Sequence, residues 1–315
     1  MAEDFFKYLV SPKTGLSLKE ISGQLVTEDK KECFAIQHGV ANLLDKDRLG
    51  AEERHEIDVF NGMEIQNVSY FRRSLFERIE RYINSFLSET LKCRKDYFLI
   101  AEFGGGEGHW ARFMQEKFPE ATVFVCDLSH KTLERAPASL RRVCADITRP
   151  IFNKNSISLA SFWVSLHHLK KNSRYKALEE VVRFLVEDGI LLIFEPNEKF
   201  WPRQVMYRSR LSRDVYPDEQ EQAVDFSDVA TMAESLGLTK IATCFLNPPY
   251  NPKFIRKLKK WVFYLFAVEF LYIFDRWIME PLLGGLLINN QRSFKKYFTL
   301  YGLSIYKKKR LVPNE

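Results

Sequence analysis

Apolar runs alternate with helical periodicities along most of this chain. Tyr97–Ala101 is a continuous apolar run, the pattern of a strand buried on both faces. Trp110, Phe113, Met114 and Phe118 follow at helical spacing. Ala121–Cys126 predicts a second strand, Ser129–Ala136 a short helix, Val143–Ala145 a third strand and Ile157–Val164 a fourth. Tyr175, Leu178, Val182 and Leu185 line a helix expected to stop at Gly189 in the left-handed C′ position, before a fifth strand at Ile190–Phe194. A helix over Ser227–Leu236, closed by Gly237, leads to a strand at Thr239–Phe245, and Phe298–Tyr306 is the last. Strand–helix alternation at this spacing predicts an α/β fold, a doubly wound and mostly parallel seven-stranded sheet.

The flanks read differently. Residues 5–44 carry turn signals at Pro12/Gly15, Gly23 and Gly39, predicting a small β-rich module. Asp45–Asp58 is charged and reads as helix or linker. From Val68, Phe71, Leu75, Ile79, Tyr82, Phe86 and Leu91 mark an amphipathic helix. The expected division is a module at 1–45, a helical cap at 46–95, a core at 96–250 and 298–310, and an aromatic, basic insertion at 251–297.

Composition narrows the class. With 315 residues, 46% hydrophobic and 14% aromatic, the chain can bury a large core, which excludes disordered and low-complexity readings. The net charge of +6 is uneven: residues 253–315 hold 13 Lys and Arg against 4 Asp and Glu. Five widely spaced cysteines without a C-x-x-C pair, and a start (MAEDFFKYLV) without a signal-peptide pattern, lead us to expect a reducing, cytoplasmic setting. The apolar window 261–289 is broken by Glu269, Asp275, Arg276 and Glu280, so no membrane-spanning helix is expected there.

Candidate chemistry centres on Ala101-Glu102-Phe103-Gly104-Gly105-Gly106-Glu107-Gly108, between the first core strand and its helix. Glycines at the carboxyl end of such a strand let backbone approach a ligand, and the following helix offers unpaired N–H groups. Asp127, nineteen residues beyond Gly108, ends the second strand, where a carboxylate can accept both hydroxyls of a ribose. Gly106-x-Gly108-x-x-Ala111 also satisfies the dinucleotide fingerprint, which leaves an NAD(P)-dependent oxidoreductase as an alternative.

Glu102-x-Gly104-x-Gly106-x-Gly108 resembles the first motif of the class I S-adenosylmethionine-dependent methyltransferases more completely. In that family the acid helps hold the methionine amino group. Val125-Cys126-Asp127-Leu128-Ser129 resembles its second motif, whose acid binds the ribose; Ala145-Asp146-Ile147 resembles the third, which approaches the adenine. Asn155-Ser156-Ile157 through Leu166-His167-His168-Leu169, and Gly189-Ile190 through Glu195-Pro196, are similar to the fourth and fifth strands of type 11 methyltransferases. The resemblance covers about residues 66–250 plus the last strand. It implies S-adenosyl-L-methionine as cofactor, held by Glu102, Gly104, Gly106, Gly108, Asp127, Leu128, Asp146, Ile147 and Phe162, and no metal. A partner-binding protein without turnover is the non-enzymatic alternative.

Methyl transfer is an in-line displacement that needs alignment and water exclusion, and a base only when the acceptor atom holds its proton tightly. His167 and His168 leave the fourth strand near the expected methyl position and are the candidate bases; the plainer reading has one buried and the other at the surface. Asn247-Pro248-Pro249-Tyr250 matches the tetrad with which amino-methylating enzymes grip planar amides, although there it follows the fourth strand. Here a Pro-Pro turn after the sixth strand accounts for it.

Residues 8–44 resemble the small zinc-ribbon-like family that activates tRNA and protein methyltransferases. The positions of its two cysteine pairs are held here by Ser11, Thr14, Thr27 and Lys30, so zinc binding is not expected. In the insertion, basic residues from Lys253 to Lys260 precede the apolar run from Trp261 to Phe274. Such a segment suits an anionic membrane surface, a lid or homodimer contact, or, less well, RNA phosphates. The expected acceptor is accordingly a small molecule, a glycan or a lipid-linked compound, with an RNA or tRNA acceptor as an alternative.

Overall fold

In a computed structural model, residues 5–45, 47, 49–62, 76–77, 79–80, 98–201, 203–204, 223–247, 270, 273–274, 277–278 and 294–310 are described. The described strands form one eleven-stranded sheet. β1 (Leu18–Ile21), β2 (Gln24–Thr27), β3 (Cys33–Gln37) and β4 (Val40–Asn42) make an antiparallel meander. The core strands are β5 (Leu99–Phe103), β6 (Thr122–Asp127), β7 (Arg141–Cys144), β8 (Ile157–Trp163), β9 (Leu185–Pro196), β10 (Leu238–Leu246) and β11 (Tyr301–Lys308). Their spatial order is β7-β6-β5-β8-β9-β11-β10, parallel except for β11, which runs against both neighbours. This is the doubly wound α/β sheet predicted above, in the Rossmann-like arrangement of methyltransferases.

The meander does not stand apart from the core. β4 adds in parallel to β7, with Ala41 opposite Val143, and Leu43 N–H donates to the Cys144 carbonyl. A core edge strand would otherwise present unpaired backbone groups, and β4 covers them. Leu9, Leu18, Leu25 and Phe34 join the same apolar cluster as the sheet core.

Among the described residues five α-helices flank the sheet: α1 (Ala51–Gly62), α2 (His109–Lys117), α3 (His130–Glu134), α4 (Lys171–Phe184) and α5 (Phe226–Ser235). Trp110, Phe113 and Met114 of α2 and Leu133 of α3 pack on one face with Phe76 and Ile79. Leu178 and Val181 of α4 and Val229 and Ala233 of α5 pack on the other. The rest of the amphipathic helix expected from Val68, and most of the insertion, lie outside the described residues.

One expected boundary is corrected. The helix before the fifth strand ends at Phe184, and Gly189 lies inside β9, where the pairing with β8 shifts register between Ile157 and Leu159. Asp188, at φ 59°, takes the left-handed conformation instead. The reason comes from β11: Lys308 Nζ donates to the carbonyls of Val182 at 2.7 Å and Leu185 at 2.6 Å. An ammonium satisfies the end of α4, so no glycine cap is required.

Candidate active site

A cleft of about 440 Å³ opens at the carboxyl ends of β5, β6 and β8. The glycine turn after β5 forms one wall. Gly104 and Gly105 N–H both donate to the Cys126 carbonyl, at 2.8 and 3.1 Å, tying the turn to β6. Gly104 has φ 66°, and a Cβ there would lie 2.5 Å from the Ser165 Cβ. At Gly105 a Cβ would meet Val125 and the Glu102 carboxyl carbon at 2.6 and 2.8 Å. Both positions exclude larger residues, so the backbone itself faces the cleft.

Two carboxylates organise this wall. Glu102, buried, accepts from Ala111 N–H in the first turn of α2 at 2.8 Å. Asp127 accepts from Gly106 N–H through one oxygen and from Ser129 N–H through the other, both at 2.8 Å. Ser129 caps α3, accepting from Thr132 N–H. Its hydroxyl also donates to Asn61 Oδ1 of α1 at 2.9 Å, which fastens α1 beside the cleft. Glu53 and Ile57, one turn apart on α1, line the opening.

Aromatic rings form the opposite wall. Trp110 stacks on Trp163 (centroids 4.3 Å, 12°), Trp163 on Phe194 (4.3 Å, 22°), and Phe194 on Tyr301 (5.0 Å, 9°). Phe76 meets Trp110 and Trp163 edge-on. This row crosses α2, β8, β9 and β11, and all five residues line the cleft. The Trp110 indole Nε1 is buried without a hydrogen-bond partner among the described residues. A native protein seldom leaves such a donor unmet, and a site for a polar ligand group explains it.

Between the walls lies the turn after β8. Val164, which lines the cleft, has φ 54°, a strained conformation for a β-branched residue, and its N–H donates to the Phe194 carbonyl. Glu195, fully buried, accepts from Ser165 N–H (2.9 Å) and Leu166 N–H (2.7 Å) and sits 2.8 Å from His167 Nδ1. From the other side the buried Arg174 guanidinium donates to the carbonyls of Leu166, His167 and Leu169. His167 is thereby enclosed, while His168, its ring 4.1 Å from that of His167, lines the cleft.

The cleft therefore gathers Glu102, Gly104, Gly106, Asp127, Leu128, Ile147, Phe162 and His168 from among the residues expected in the site. Gly108, Asp146 and His167 are not part of its lining. Gly108 is the N-cap of α2, where a Cβ would meet Leu140 at 2.8 Å. The Asp146 carboxylate accepts from Thr148 N–H and its hydroxyl, both at 2.8 Å, and so shapes the loop that carries Ile147. Asn247 is buried and holds the chain before β11 through the Phe298 carbonyl and Leu300 N–H; Pro248–Tyr250 lie outside the described residues. Sequence reasoning missed the aromatic row, Glu195 and α1. A glutamate ending the apolar run of β9 was the one visible signal for Glu195.

Residues 100–189, which include the glycine turn, Asp127 and the turn after β8, match the family model of a methyltransferase domain. Residues 100–189 thus carry a methyltransferase domain, a class that implies S-adenosylmethionine as cofactor. The glycine cradle and the acidic lining fit that group. No curated protein matches the chain in sequence. Among solved structures, the geranyl diphosphate C-methyltransferase of Streptomyces coelicolor A3(2) is 13% identical, with a TM-score of 0.51 over 82% of this chain and 98% of its own. A candidate sarcosine dimethylglycine methyltransferase from Galdieria sulphuraria is 15% identical, with a TM-score of 0.47 over 82% of this methyltransferase and 99% of its own chain. A chain from the complex of the Haloferax volcanii Trm112 methyltransferase activator with a methyltransferase is 11% identical, with a TM-score of 0.45 over 78% and 100%. The likeness to the Streptomyces enzyme is one of fold.

Proposed function

We propose that this methyltransferase acts on an acceptor without phosphate or carboxylate groups: a small apolar molecule, a glycan or a lipid-linked compound. The observation that carries this reading is the lining of the cleft. Glu53, Glu102, Glu107 and Asp127 face it together with seven aromatic residues, and none of the described lining residues is Lys or Arg. An anionic acceptor, RNA included, calls for guanidinium or ammonium partners at its phosphates. An acidic, aromatic cleft instead suits a cationic cofactor and an uncharged acceptor. It also disfavours a dinucleotide, whose pyrophosphate would face Glu107 at the start of α2.

When bound, S-adenosylmethionine supplies an electrophilic methyl group on a sulfonium. In this reading Asp127 holds the ribose hydroxyls, Leu128 and Ile147 flank the adenine, and the Gly104–Gly106 backbone takes the methionine portion beside Glu102. Phe162 closes the cleft at β8. Gly108 and Asp146 support these residues from behind. The aromatic row excludes water and orients the acceptor, and the Trp110 N–H meets a polar group on it. In this reading His168, which lines the cleft, takes a proton from an acceptor hydroxyl, and His167 positions it.

We extend the reading to the chain's division of labour: core at 96–250 and 298–310, cap at 46–95, insertion at 251–297. Residues 1–45 then serve as a metal-free activator module working within the same chain. The pairing of β4 with β7 supports this, as does the way Ser11 and Thr14 donate to the Glu32 carboxylate while Thr27 Oγ1 accepts from Glu32 N–H.

Calorimetric titration of S-adenosylhomocysteine against NADH tests the cofactor assignment, and transfer of labelled methyl groups to apolar, glycan and RNA acceptors tests the rest. Binding of the first ligand alone, with labelling of an uncharged acceptor, is expected. NADH binding, or labelling of RNA only, overturns the proposal.

A further inference from the structure

The stacked rings lead away from the glycine turn and Asp127. Glu102, Asp127 and Ile147 come from β5, β6 and the loop after β7, whereas Trp163, Phe194 and Tyr301 come from β8, β9 and β11, the next three strands in the opposite direction. Trp163 is paired with Phe194 across β8 and β9, and Tyr301 lies opposite Pro196. Rings at matching levels of neighbouring strands stand about one strand spacing of 4.8 Å apart, which is why the row is stacked. Trp110 begins it, two residues after Gly108, and Tyr301 ends it. Among the described residues none from β10, the strand beyond, lines the cleft.

Stacking also decides what the row can hold. Trp163 lies between Trp110 and Phe194, and Phe194 between Trp163 and Tyr301, at interplanar angles of 12°, 22° and 9°. The faces of the two middle rings are covered by their neighbours, so they turn only edges to the cleft. A cation sits over an aromatic face, and a sugar ring also packs against one. A hydrocarbon needs neither and fits a wall of edges.

The last ring is fixed from two strands. Leu300, the residue before Tyr301, donates its N–H to Asn247 Oδ1 at 2.8 Å, and its carbonyl accepts from Asn197 N–H at 2.8 Å. Asn247 Nδ2 donates to the Phe298 carbonyl at 3.1 Å, and Asn197 Nδ2 to the Thr299 carbonyl at 2.9 Å. Both asparagines are buried, Asn197 just beyond β9 and Asn247 just beyond β10, and neither lines the cleft. These bonds hold the backbone of residues 298–300 and, through it, the place of Tyr301. Asn247, first residue of the Asn-Pro-Pro-Tyr tetrad, acts here on the main chain.

We propose that Tyr301 sets the length of acceptor the enzyme takes, with Asn197 and Asn247 as its positioning residues, and that the acceptor is an elongated, hydrocarbon-rich molecule lying along the row with its reacting hydroxyl toward Trp110. This rests on the reading of an uncharged acceptor and narrows it to an apolar chain or ring system.

The test titrates 4-alkylphenols, from methyl to octyl, into the full-length protein saturated with S-adenosylhomocysteine. Affinity should rise about fourfold per methylene while the chain stays inside the cleft, then stop rising at a cut-off length. Tyr301→Ala should move that cut-off to a longer chain, so that the first phenol past the wild-type limit binds the variant about fourfold tighter. Tyr301→Phe should keep the wild-type cut-off. Asn247→Ala should shift it as Tyr301→Ala does; a lower thermal midpoint with an unchanged cut-off overturns the positioning role. If that variant does not fold, the Tyr301 pair decides alone. Wild-type protein that binds no alkylphenol, affinity that ignores chain length, or a cut-off unmoved in Tyr301→Ala overturns the assignment. So does weaker S-adenosylhomocysteine binding by Tyr301→Ala, which would place the ring on the cofactor. Failure of the underlying reading shows separately, without any phenol, as labelling of RNA only.

Discussion

Glu195 Oε2 lies 2.8 Å from His167 Nδ1, and the same carboxylate takes the N–H groups of Ser165 and Leu166. A fully buried glutamate at the end of β9 thus holds the turn that presents His168 to the cleft. Glu195→Ala should cost about 3 kcal/mol, because two backbone N–H groups and the buried His167 ring lose their partner. Glu195→Gln, which keeps an acceptor oxygen, should recover most of that stability. Urea denaturation reads the stability difference. If the turn positions His168, turnover in the glutamine variant falls while cofactor affinity holds; an unchanged kcat would show that the geometry of the turn is irrelevant to transfer.

Trp110 supplies both a ring for the aromatic row and a buried indole N–H without a described partner. Trp110→Phe keeps a ring and removes the donor. The empty protein should be no less stable by more than about 1 kcal/mol, since no hydrogen bond is lost. Acceptor KM should rise about five- to tenfold, the worth of one hydrogen bond. Equal KM values in steady-state kinetics would place the indole N–H away from the ligand.

Val164 holds a left-handed conformation, worth about 1–2 kcal/mol of strain, between Trp163 and the Glu195-bound turn. Glycine relieves the strain but adds about 0.5–1 kcal/mol of unfolded-state freedom. Val164→Gly should therefore leave stability equal or up to about 1 kcal/mol higher, while lowering kcat through a looser turn. A lower thermal midpoint would mean that packing of the valine outweighs its backbone strain.

Lys308 caps α4 from another strand, and burial pulls its ammonium below the ordinary lysine value even as it donates to Val182, Leu185 and Asn155. Lys308→Met should destabilise by about 1–3 kcal/mol by orphaning these carbonyls. Hydrogen exchange should show the loss first at the α4–β9 junction.

Asp225 caps α5, accepting from Ser227 N–H at 2.8 Å, and pairs with Lys199 at 3.0 Å. Burial raises its carboxyl, but the Ser227 N–H and Lys199 outweigh this and hold it below the ordinary value. Its folded-state value being depressed, its stabilisation is present above the unfolded value near pH 4 and is lost as pH falls through the folded value. Asp225→Asn should be less stable than wild type at pH 7, with the gap closing in acid. A gap that widens on acidification would contradict the sign.

The sequence alone determined the order of core elements and the place of the ligand cleft. Both are local properties: apolar runs and helical spacing mark the strands and helices, and the glycine turn with Asp127 is readable because each residue acts within a few positions of itself. Tertiary structure decided what depends on distant partners. α4 ends without a glycine because Lys308 reaches it across 126 positions. The meander joins the core because β4 finds an open strand edge in β7. The aromatic row assembles from α2, β8, β9 and β11, elements whose order in the sheet no local pattern encodes. Long-range pairing and burial settle such features, and they leave no periodic trace in the chain.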